Sequence, residues 1–235
     1  SNNQKEIADA PNVAFIHVLP RLLPRSSPMT RTLRMTPPHA DGAAAHIVVV
    51  GGGASGVLMA THLLTHPGRF RVTIVEGRNM LGCGIAYSTE DPQHLLNTRV
   101  QNMSAFPDDP DHFRRWLRTR AGHGDAPAAF VSRPTYGAYL ADLLSPWQAD
   151  PSRLACIRRT CLRIDNGGTD MTIHLDDGQV LRADHVVLAT GHVLPEPDPA
   201  GVLSGAWEPP ADLDPDSRVI IIGTGLSMVD QVLSL

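Results

Sequence analysis

The chain has 235 residues, of which 42% are apolar, and a formal net charge of −4 at pH 7. This length allows one or two domains with a buried core, and the small negative charge argues against nucleic acid as a partner. No apolar stretch approaches the roughly 20 residues of a membrane-spanning helix, and we find no convincing secretory signal. The composition therefore predicts no nucleic-acid or membrane partner, and it leaves the oligomeric state open.

The first 45 residues contain scattered prolines, arginines and serines without sustained apolar periodicity. We expect residues 1–45 to be mostly disordered, or to be a leader that is not native to the protein, with Met29 and Met35 as alternative starts. The folded part is predicted to begin at His46.

A glycine motif directly follows the first predicted strand. Residues 46–56 read HIVVVGGGASG, so that an apolar strand leads into Gly51-x-Gly53-x-x-Gly56. In dinucleotide-binding βαβ units, the first glycine allows the tight turn, the second lets backbone approach a pyrophosphate, and the third lets the next helix pack closely. That helix stops at Pro67-Gly68, and its N-terminus would face the phosphates. The alternative is a glycine-rich turn without a ligand.

The second predicted strand, residues 70–76, ends in an acid. Glu76 lies twenty residues beyond Gly56, where a carboxylate binds the ribose hydroxyls of an adenosine nucleotide. Because a carboxylate disfavours a 2′-phosphate, FAD or NAD suits this site better than NADP. The glycine-rich residues 77–87 then predict a loop that could lie close to a cofactor.

Two helices are predicted in the middle of the chain, one with Asp111 as its N-cap and one over residues 136–144. The first helix carries four arginines, which we interpret as a solvated face rather than a nucleic-acid-binding surface. His62 and His66, on the helix after the glycine motif, have the i, i+4 spacing of some metal ligands. No glutamate lies between them as in H-E-x-x-H, so we predict no metal site.

From residue 154 onward the pattern favours strands. Residues 155–165, 169–175 and 180–183 predict a meander, with a turn at 176–178, that crosses one face of a parallel sheet. Residues 185–191 predict a return to a buried strand that ends in Ala189-Thr190-Gly191.

The three cysteines, at positions 83, 156 and 161, do not make a disulfide framework, which predicts a reducing cytoplasm. Cys156 and Cys161 have the C-x4-C spacing of some redox pairs. Within a strand, however, an odd offset sends two side chains to opposite faces. We therefore favour a structural role over a redox role for this pair.

The end of the chain repeats the opening theme. Residues 195–216 are rich in Pro and Asp and predict a linker, after which an apolar strand at 219–222 runs into Gly223-x-Gly225 and a helix. A βαβ unit needs about thirty residues or more, so this second nucleotide-binding unit is begun but not completed. An apolar strand without neighbours is also an aggregation hazard.

Several segments resemble bacterial FAD-NAD(P)-binding proteins, which have two dinucleotide-binding domains and are distantly akin to flavin monooxygenases and N-hydroxylating monooxygenases. The segments are residues 82–88, 94–97, 103–107 and 133–137, together with Phe113, Trp116-Leu117 and the two glycine motifs. The resemblance covers the chain roughly from His46 to the end.

The resemblance implies an α/β fold: a Rossmann-like FAD-binding domain with three layers and a β-meander crossover, followed by the first strand and helix of a second dinucleotide-binding domain. Residues 46–194 would form the incomplete FAD-binding domain, 195–216 the linker and 217–235 the start of the NAD(P)-binding domain. We expect the chain to be truncated at its C-terminus, so that turnover with NAD(P)H is poor or absent.

The site residues that the resemblance implies fall into two groups. Those of the first nucleotide site would hold the FAD pyrophosphate, bind its ribose, contact its adenine through backbone, or lie near the cofactor; they are Gly51, Gly53, Ala54, Ser55, Gly56, Glu76, Cys161, Thr190 and Gly191. Asn97 and Ser104 are weaker candidates for flavin contacts, with loop capping as the alternative. Gly223, Gly225 and Ser227 would belong to the pyridine-nucleotide site, where Met228 replaces the third glycine and puts close helix packing in doubt.

The function implied is that of an oxidoreductase that passes hydride from NAD(P)H to FAD and on to a small-molecule acceptor or oxygen. The sequence does not identify the acceptor or a catalytic side chain, nor does it decide between NADH and NADPH. The alternative is a nucleotide-binding fragment or module without catalysis.

Overall fold

The computed structural model describes residues 44–120, 130–167, 170–192, 218–222 and 225–234. The strands in these ranges are β1 (His46–Val50), β2 (Arg71–Val75), β3 (Leu154–Ile157), β4 (Cys161–Asn166), β5 (Met171–Leu175), β6 (Val180–Ala183) and β7 (His185–Leu188). The helices are α1 (Ala54–Thr65), α2 (His112–Arg120), α3 (Arg133–Asp142) and α4 (Leu226–Ser234), with short 3-10 turns at Val100–Asn102 and Ser145–Trp147.

A parallel sheet of four strands in the order β3-β2-β1-β7 is the centre of the fold. Val48 and Val49, on opposite faces of β1, are both fully buried. A strand buried on both faces is a continuous apolar run, which is what residues 47–50 present. One face packs against α1 and α3, and the other against the antiparallel sheet β4-β5-β6.

These three layers, helices over a parallel sheet over a meander, confirm the predicted Rossmann-like α/β architecture. Ile173 and Leu175 of β5 and Ala183 of β6 pack beneath Val48 and Val50. The short turn that joins β5 to β6 contains Gly178 with φ +83, a left-handed conformation that glycine adopts without strain.

The strand predicted over residues 155–165 is two strands in different sheets. β3 pairs in parallel with β2, and after three residues the chain turns so that β4 pairs antiparallel with β5. Apolar and polar residues continue through both strands with similar spacing, so the sequence pattern does not mark the point where the pairing partner changes. Cys156 and Cys161 therefore lie in separate sheets.

β7 is half-buried, where we predicted a buried strand. Its burial differs from that of β1 because it is the outermost strand of the described sheet, and Leu188 at its end is exposed. Its pairing with β1 is nevertheless regular over four residues.

The helices lie close to their predicted positions. α1 ends before Pro67, and α2 begins one residue after Asp111. α3 begins at Arg133, three residues earlier than predicted, because the Ser132 side chain caps it by accepting a hydrogen bond from the backbone of Thr135.

The end of the described chain contains the predicted helix, α4, whereas residues 218–222 are not paired with a neighbouring strand. Because a strand is defined by its partner, this apolar segment does not form the predicted strand. The predicted linker at 195–216 and Gly223 lie outside the described residues, as does the leader up to residue 43. In the described ranges, no helix is both long and apolar enough to cross a membrane.

Candidate functional site

The turn after β1 lies at the carboxyl ends of the parallel strands. Gly51 has φ +104, and its N–H donates to the Val75 carbonyl at 2.8 Å. A Cβ at this position would lie 2.2 Å from the Ala189 carbonyl oxygen and 3.2 Å from the Thr190 nitrogen. The turn therefore requires glycine both for its conformation and for its contact with the end of β7.

Gly56, in the first turn of α1, lets the helix approach the turn. A Cβ there would lie 1.9 Å from the Gly51 carbonyl oxygen, closer than any side chain permits. Gly51 and Gly56 thus have the two geometric roles that the motif predicts for its first and third glycines.

Gly53 is the N-cap of α1, and its neighbour in space is the glycine-rich loop. A Cβ at Gly53 would lie 3.2 Å from Gly84 Cα, so part of the room that this glycine leaves open is taken by protein backbone. The loop is fixed there because the Gly82 N–H donates to the Gly52 carbonyl at 2.8 Å. Ala54 is half-buried and Ser55 is exposed, both in the first turn of α1.

Glu76 lies directly after β2 and reaches back to the glycine turn. Its Oε2 accepts a hydrogen bond of 2.8 Å from the Gly52 N–H, and its Oε1 accepts one of 2.9 Å from the Arg78 N–H. The Arg78 guanidinium forms a further contact of 3.3 Å with Oε1. The carboxylate predicted to bind ribose is thus held at the glycine turn by protein donors.

The environment of Glu76 favours the charged form. Burial alone would raise the pKa of this carboxyl, but the hydrogen bonds from Arg78 and Gly52 and the charge of Arg78 lower it overall. The side chain is only 10% exposed. The site therefore presents a fixed negative charge at neutral pH.

Thr190 and Gly191 follow β7 and are exposed, beside the glycine turn that Ala189 contacts. Gly191 has φ +72, and a Cβ added to it would have no atom within 4 Å, so its conformation rather than crowding favours glycine. The fold therefore brings together the two glycine-containing strand ends that lie 140 residues apart in the sequence, Gly51 and Gly191.

The two weaker candidates lie in loops. Asn97 is exposed, and its side-chain oxygen accepts from the Thr98 hydroxyl at 3.3 Å. The Ser104 hydroxyl donates to the Asp109 carbonyl at 2.6 Å and accepts a hydrogen bond from the Phe106 N–H at 3.1 Å. Ser104 thus performs the loop-capping role that was its alternative, and a flavin contact by either residue stays a prediction.

Cys161 begins β4, half-buried, with its Sγ 3.8 Å from the Arg163 carbonyl oxygen. Burial raises the pKa of all three cysteine thiols, which disfavours the reactive thiolate. An adenine contact through the Cys161 backbone stays a prediction.

The second glycine motif is described only in part. Gly225 is exposed, has nothing within 4 Å of a Cβ position, and accepts a hydrogen bond from the Met228 N–H at 3.0 Å. Ser227 is half-buried in the first turn of α4. The structure therefore does not place these residues beside the first glycine turn.

Sequence reasoning does not select Gly52, Arg78 or Gly84 as site residues. A Cβ at Gly52 would lie 2.6 Å from the Leu81 side chain and 2.8 Å from Cβ of Glu76. The run of three glycines contains a signal for Gly52, but the fingerprint assigns roles only to the glycines on either side of it. Contacts of Arg78 and Gly84 depend on the loop path, which no motif predicts.

The histidines at i, i+4 on α1 have other partners. His62 Nε2 lies 3.0 Å from the Ala105 carbonyl oxygen, and His66 Nδ1 accepts from the Gly68 N–H at 2.9 Å. Within the described ranges, no group of three His, Cys, Asp or Glu side chains could hold a metal ion.

A family model described as FAD-NAD(P)-binding matches residues 48–193, more than half of the chain. This range begins in β1 and contains the glycine turn, Glu76, the meander and the end of β7. No curated protein matches the chain.

Among solved structures, the chain is similar to a flavin-containing monooxygenase from Stenotrophomonas maltophilia, with 20% identity over 63% of this chain and 38% of that one and a TM-score of 0.45. It is also similar to an oxidized steroid monooxygenase bound to NADP, with 18% identity over 63% of this chain and 26% of that one and a TM-score of 0.48. A third similar structure is the open form of cyclohexanone monooxygenase, with 20% identity over 65% of this chain and 29% of that one and a TM-score of 0.47. The chain thus spans well under half of the length of each of these proteins.

Proposed function

Because the chain belongs to the FAD-NAD(P)-binding family, we propose that it is part of an FAD-dependent oxidoreductase that passes hydride from a nicotinamide cofactor to flavin. The final acceptor would be a small molecule or oxygen. The observation that carries this proposal is the glycine turn at the carboxyl end of β1, packed against Ala189 at the end of β7.

The turn lies where the order of the strands reverses. β2 and β3 lie on one side of β1, and β7 lies on the other. In open α/β sheets, ligands bind in the crevice outside the carboxyl ends of the strands at such a switch point. Gly51 and Thr190 line this point from its two sides, which is why we assign the nucleotide to it.

The residues at the switch point fit the adenosine diphosphate half of FAD. Helix α1 begins directly after Gly53, and its first turn presents backbone N–H groups and the exposed Ser55, which suit a pyrophosphate. Glu76 is held as a carboxylate beside Gly52, and its oxygens suit hydrogen bonds donated by two ribose hydroxyls. A ribose would compete for Glu76 with the Arg78 side chain, which is half exposed.

When bound, the flavin supplies the hydride chemistry itself. This chain supplies binding and orientation: the turn fixes the pyrophosphate end and Glu76 fixes the ribose. The loop at residues 82–84, packed over Gly53, covers one side of the site. Asn97 and Ser104 remain the proposed residues toward the flavin ring.

The proposal is tested by incubating the purified chain with FAD, removing free cofactor and recording the visible absorption of the retained flavin. FMN, which has the same ring system without the adenosine, serves as the comparison ligand. We expect FAD to be retained and FMN to be lost, because the glycine turn and Glu76 would recognise the adenosine half of FAD. Equal loss of both would refute the proposed site.

Glu76→Gln provides the residue-level test. We expect it to weaken FAD binding about tenfold, the loss expected when hydrogen bonds to a charged acceptor are removed. Glu90→Gln, a change of the same chemistry at an exposed loop position, is the matched control and should bind FAD like the parent chain. Addition of NADH or NADPH without oxygen then tests hydride transfer, since only an active chain would bleach the bound flavin.

A further inference from the structure

Helix α4 partly buries polar side chains and exposes most of the apolar side chains that the structure describes in it. Asp230 and Gln231 are half-buried, whereas Val229, Val232 and Leu233 are each more than 40% exposed. A surface helix normally does the reverse and buries its apolar stripe. Among the apolar side chains of α4 that the structure describes, only Met228 is half-buried, so polar contacts have a substantial part in attaching this helix.

One polar contact of α4 is an ion pair between Arg133 and Asp230, which lie 97 positions apart in two sequence motifs. Arg133 Nη2 lies 2.5 Å from Asp230 Oδ2, and the two side chains are only 13% and 14% exposed. Arg133 opens the RPTYG segment, and Asp230 ends the G-x-G-x-S-x-x-D pattern. A shielded pair of this kind is screened little by salt.

Arg133 is itself held in place by the loop that contains Asn97. Its Nε donates to the Leu95 carbonyl at 3.2 Å, and its backbone N–H donates to the His94 carbonyl at 2.8 Å. Its charge also reaches Tyr87, where burial raises the pKa of the phenol and Arg133 opposes the rise. Because the guanidinium is already fixed, little side-chain entropy is lost when it meets Asp230.

We propose that the Arg133–Asp230 ion pair docks α4, with Gly225 directly before it, onto the loop that contains Asn97. Arg133 and Asp230 are then positioning residues: they set where the nicotinamide-nucleotide site begins relative to the FAD site. This role rests on the proposed function, whereas the docking itself does not. A helix of nine residues is marginal in water by itself, so the docking contact also determines whether α4 persists.

Hydrogen exchange in α4 tests the docking directly. In Asp230→Ala and in Arg133→Gln, we expect the amides of residues 226–234 to exchange roughly tenfold faster, because each change removes the shielded ion pair between α3 and α4. The double variant should be no faster than either single one, since the same contact is lost in all three. Asp230→Glu restores the carboxylate and should return exchange to within about twofold of the parent chain.

The control variant is Arg182→Gln, which removes an arginine that is 79% exposed and pairs with Asp170 on the meander. It should leave exchange in α4 unchanged. The proposal is overturned if Asp230→Ala exchanges like the parent, if the single effects add in the double variant, or if β1 is accelerated as much as α4. Asp230→Asn, which keeps the shape of the side chain, decides the matter should Asp230→Ala fail to fold.

The same samples separate the docking from the proposed function. If the parent chain retains no FAD but hydrogen exchange in α4 is faster in the variants, the flavin site is refuted and the docking contact is established. If the parent chain retains FAD but hydrogen exchange in α4 is the same in the variants as in the parent, only the docking is refuted.

Discussion

Crowding at single glycines is what shapes the candidate site. At Gly56 a methyl group would collide with the Gly51 carbonyl oxygen, and at Gly51 one would collide with the Ala189 carbonyl oxygen. Both collisions are with backbone, which can move only if the turn itself moves. The glycines are therefore needed for the fold of the turn before any nucleotide is bound.

Gly56→Ala is expected to lower the free energy of unfolding by about 3 kcal/mol, since overpacking here displaces backbone rather than a flexible side chain. Urea denaturation followed by circular dichroism measures the loss. Ser55→Ala, one position earlier on the exposed side of α1, is the control and should change stability by less than about 0.5 kcal/mol. If Gly56→Ala lowers the free energy of unfolding by less than about 1 kcal/mol, the backbone of the turn can shift to accommodate the methyl group.

At the scale of elements, an aromatic cluster joins α2 and α3 to the loop that contains Ser104. Tyr139 on α3 is fully buried, and its ring packs against Phe113 on α2 with centroids 4.6 Å apart. Its hydroxyl oxygen accepts a hydrogen bond of 3.0 Å from the Ala105 N–H and lies 2.8 Å from His112 Nδ1. The loop is thus tied to a helix through one buried hydroxyl.

Tyr139→Phe should cost about 2 kcal/mol of stability, because the ring packing remains while the buried Ala105 N–H loses its acceptor. Tyr87→Phe removes the same group from a half-buried ring that packs on Tyr136, and should cost less than about 0.5 kcal/mol. Thermal unfolding of the two variants in parallel gives the comparison. Equal losses would mean that the Ala105 N–H finds another acceptor.

At the scale of the whole molecule, the most exposed large apolar side chains among the described residues lie in the segment 218–222. Ile220 and Ile222 are 88% and 83% exposed, and Leu188 at the end of β7 is half exposed. Residues 218–222 also lie outside every strand that the structure describes. Exposed apolar residues on unpaired backbone are the usual start of association between chains.

Replacing Ile220 and Ile222 together by Lys should suppress concentration-dependent association while leaving the melting temperature of the chain nearly unchanged, because neither side chain contributes to the core. Light scattering against protein concentration measures the effect. The double variant Leu162→Lys with Val180→Lys, at positions 67% and 52% exposed on β4 and β6, adds the same two charges and should reduce association less. Equal suppression by both would assign the effect to net charge.

Much of the fold and the core of the site followed from sequence because their signals are local. A glycine motif between an apolar strand and a helix specifies a turn through the backbone conformations of a few adjacent residues, so the positions of Gly51, Gly53 and Gly56 could be predicted. The acid at the end of β2 follows from the same unit, and Gly178 marks the meander turn for the same reason.

Tertiary structure decided the features that depend on which distant segments meet. The division of residues 155–165 between two sheets, the approach of Gly84 to Gly53, and the pairing of Arg133 with Asp230 each join chain segments that no motif links. Periodicity reports which side of an element is apolar, but it does not report the partner of an element. The sequence by itself therefore determined the kind of nucleotide-binding turn, and the packing of distant segments determined how its residues are held.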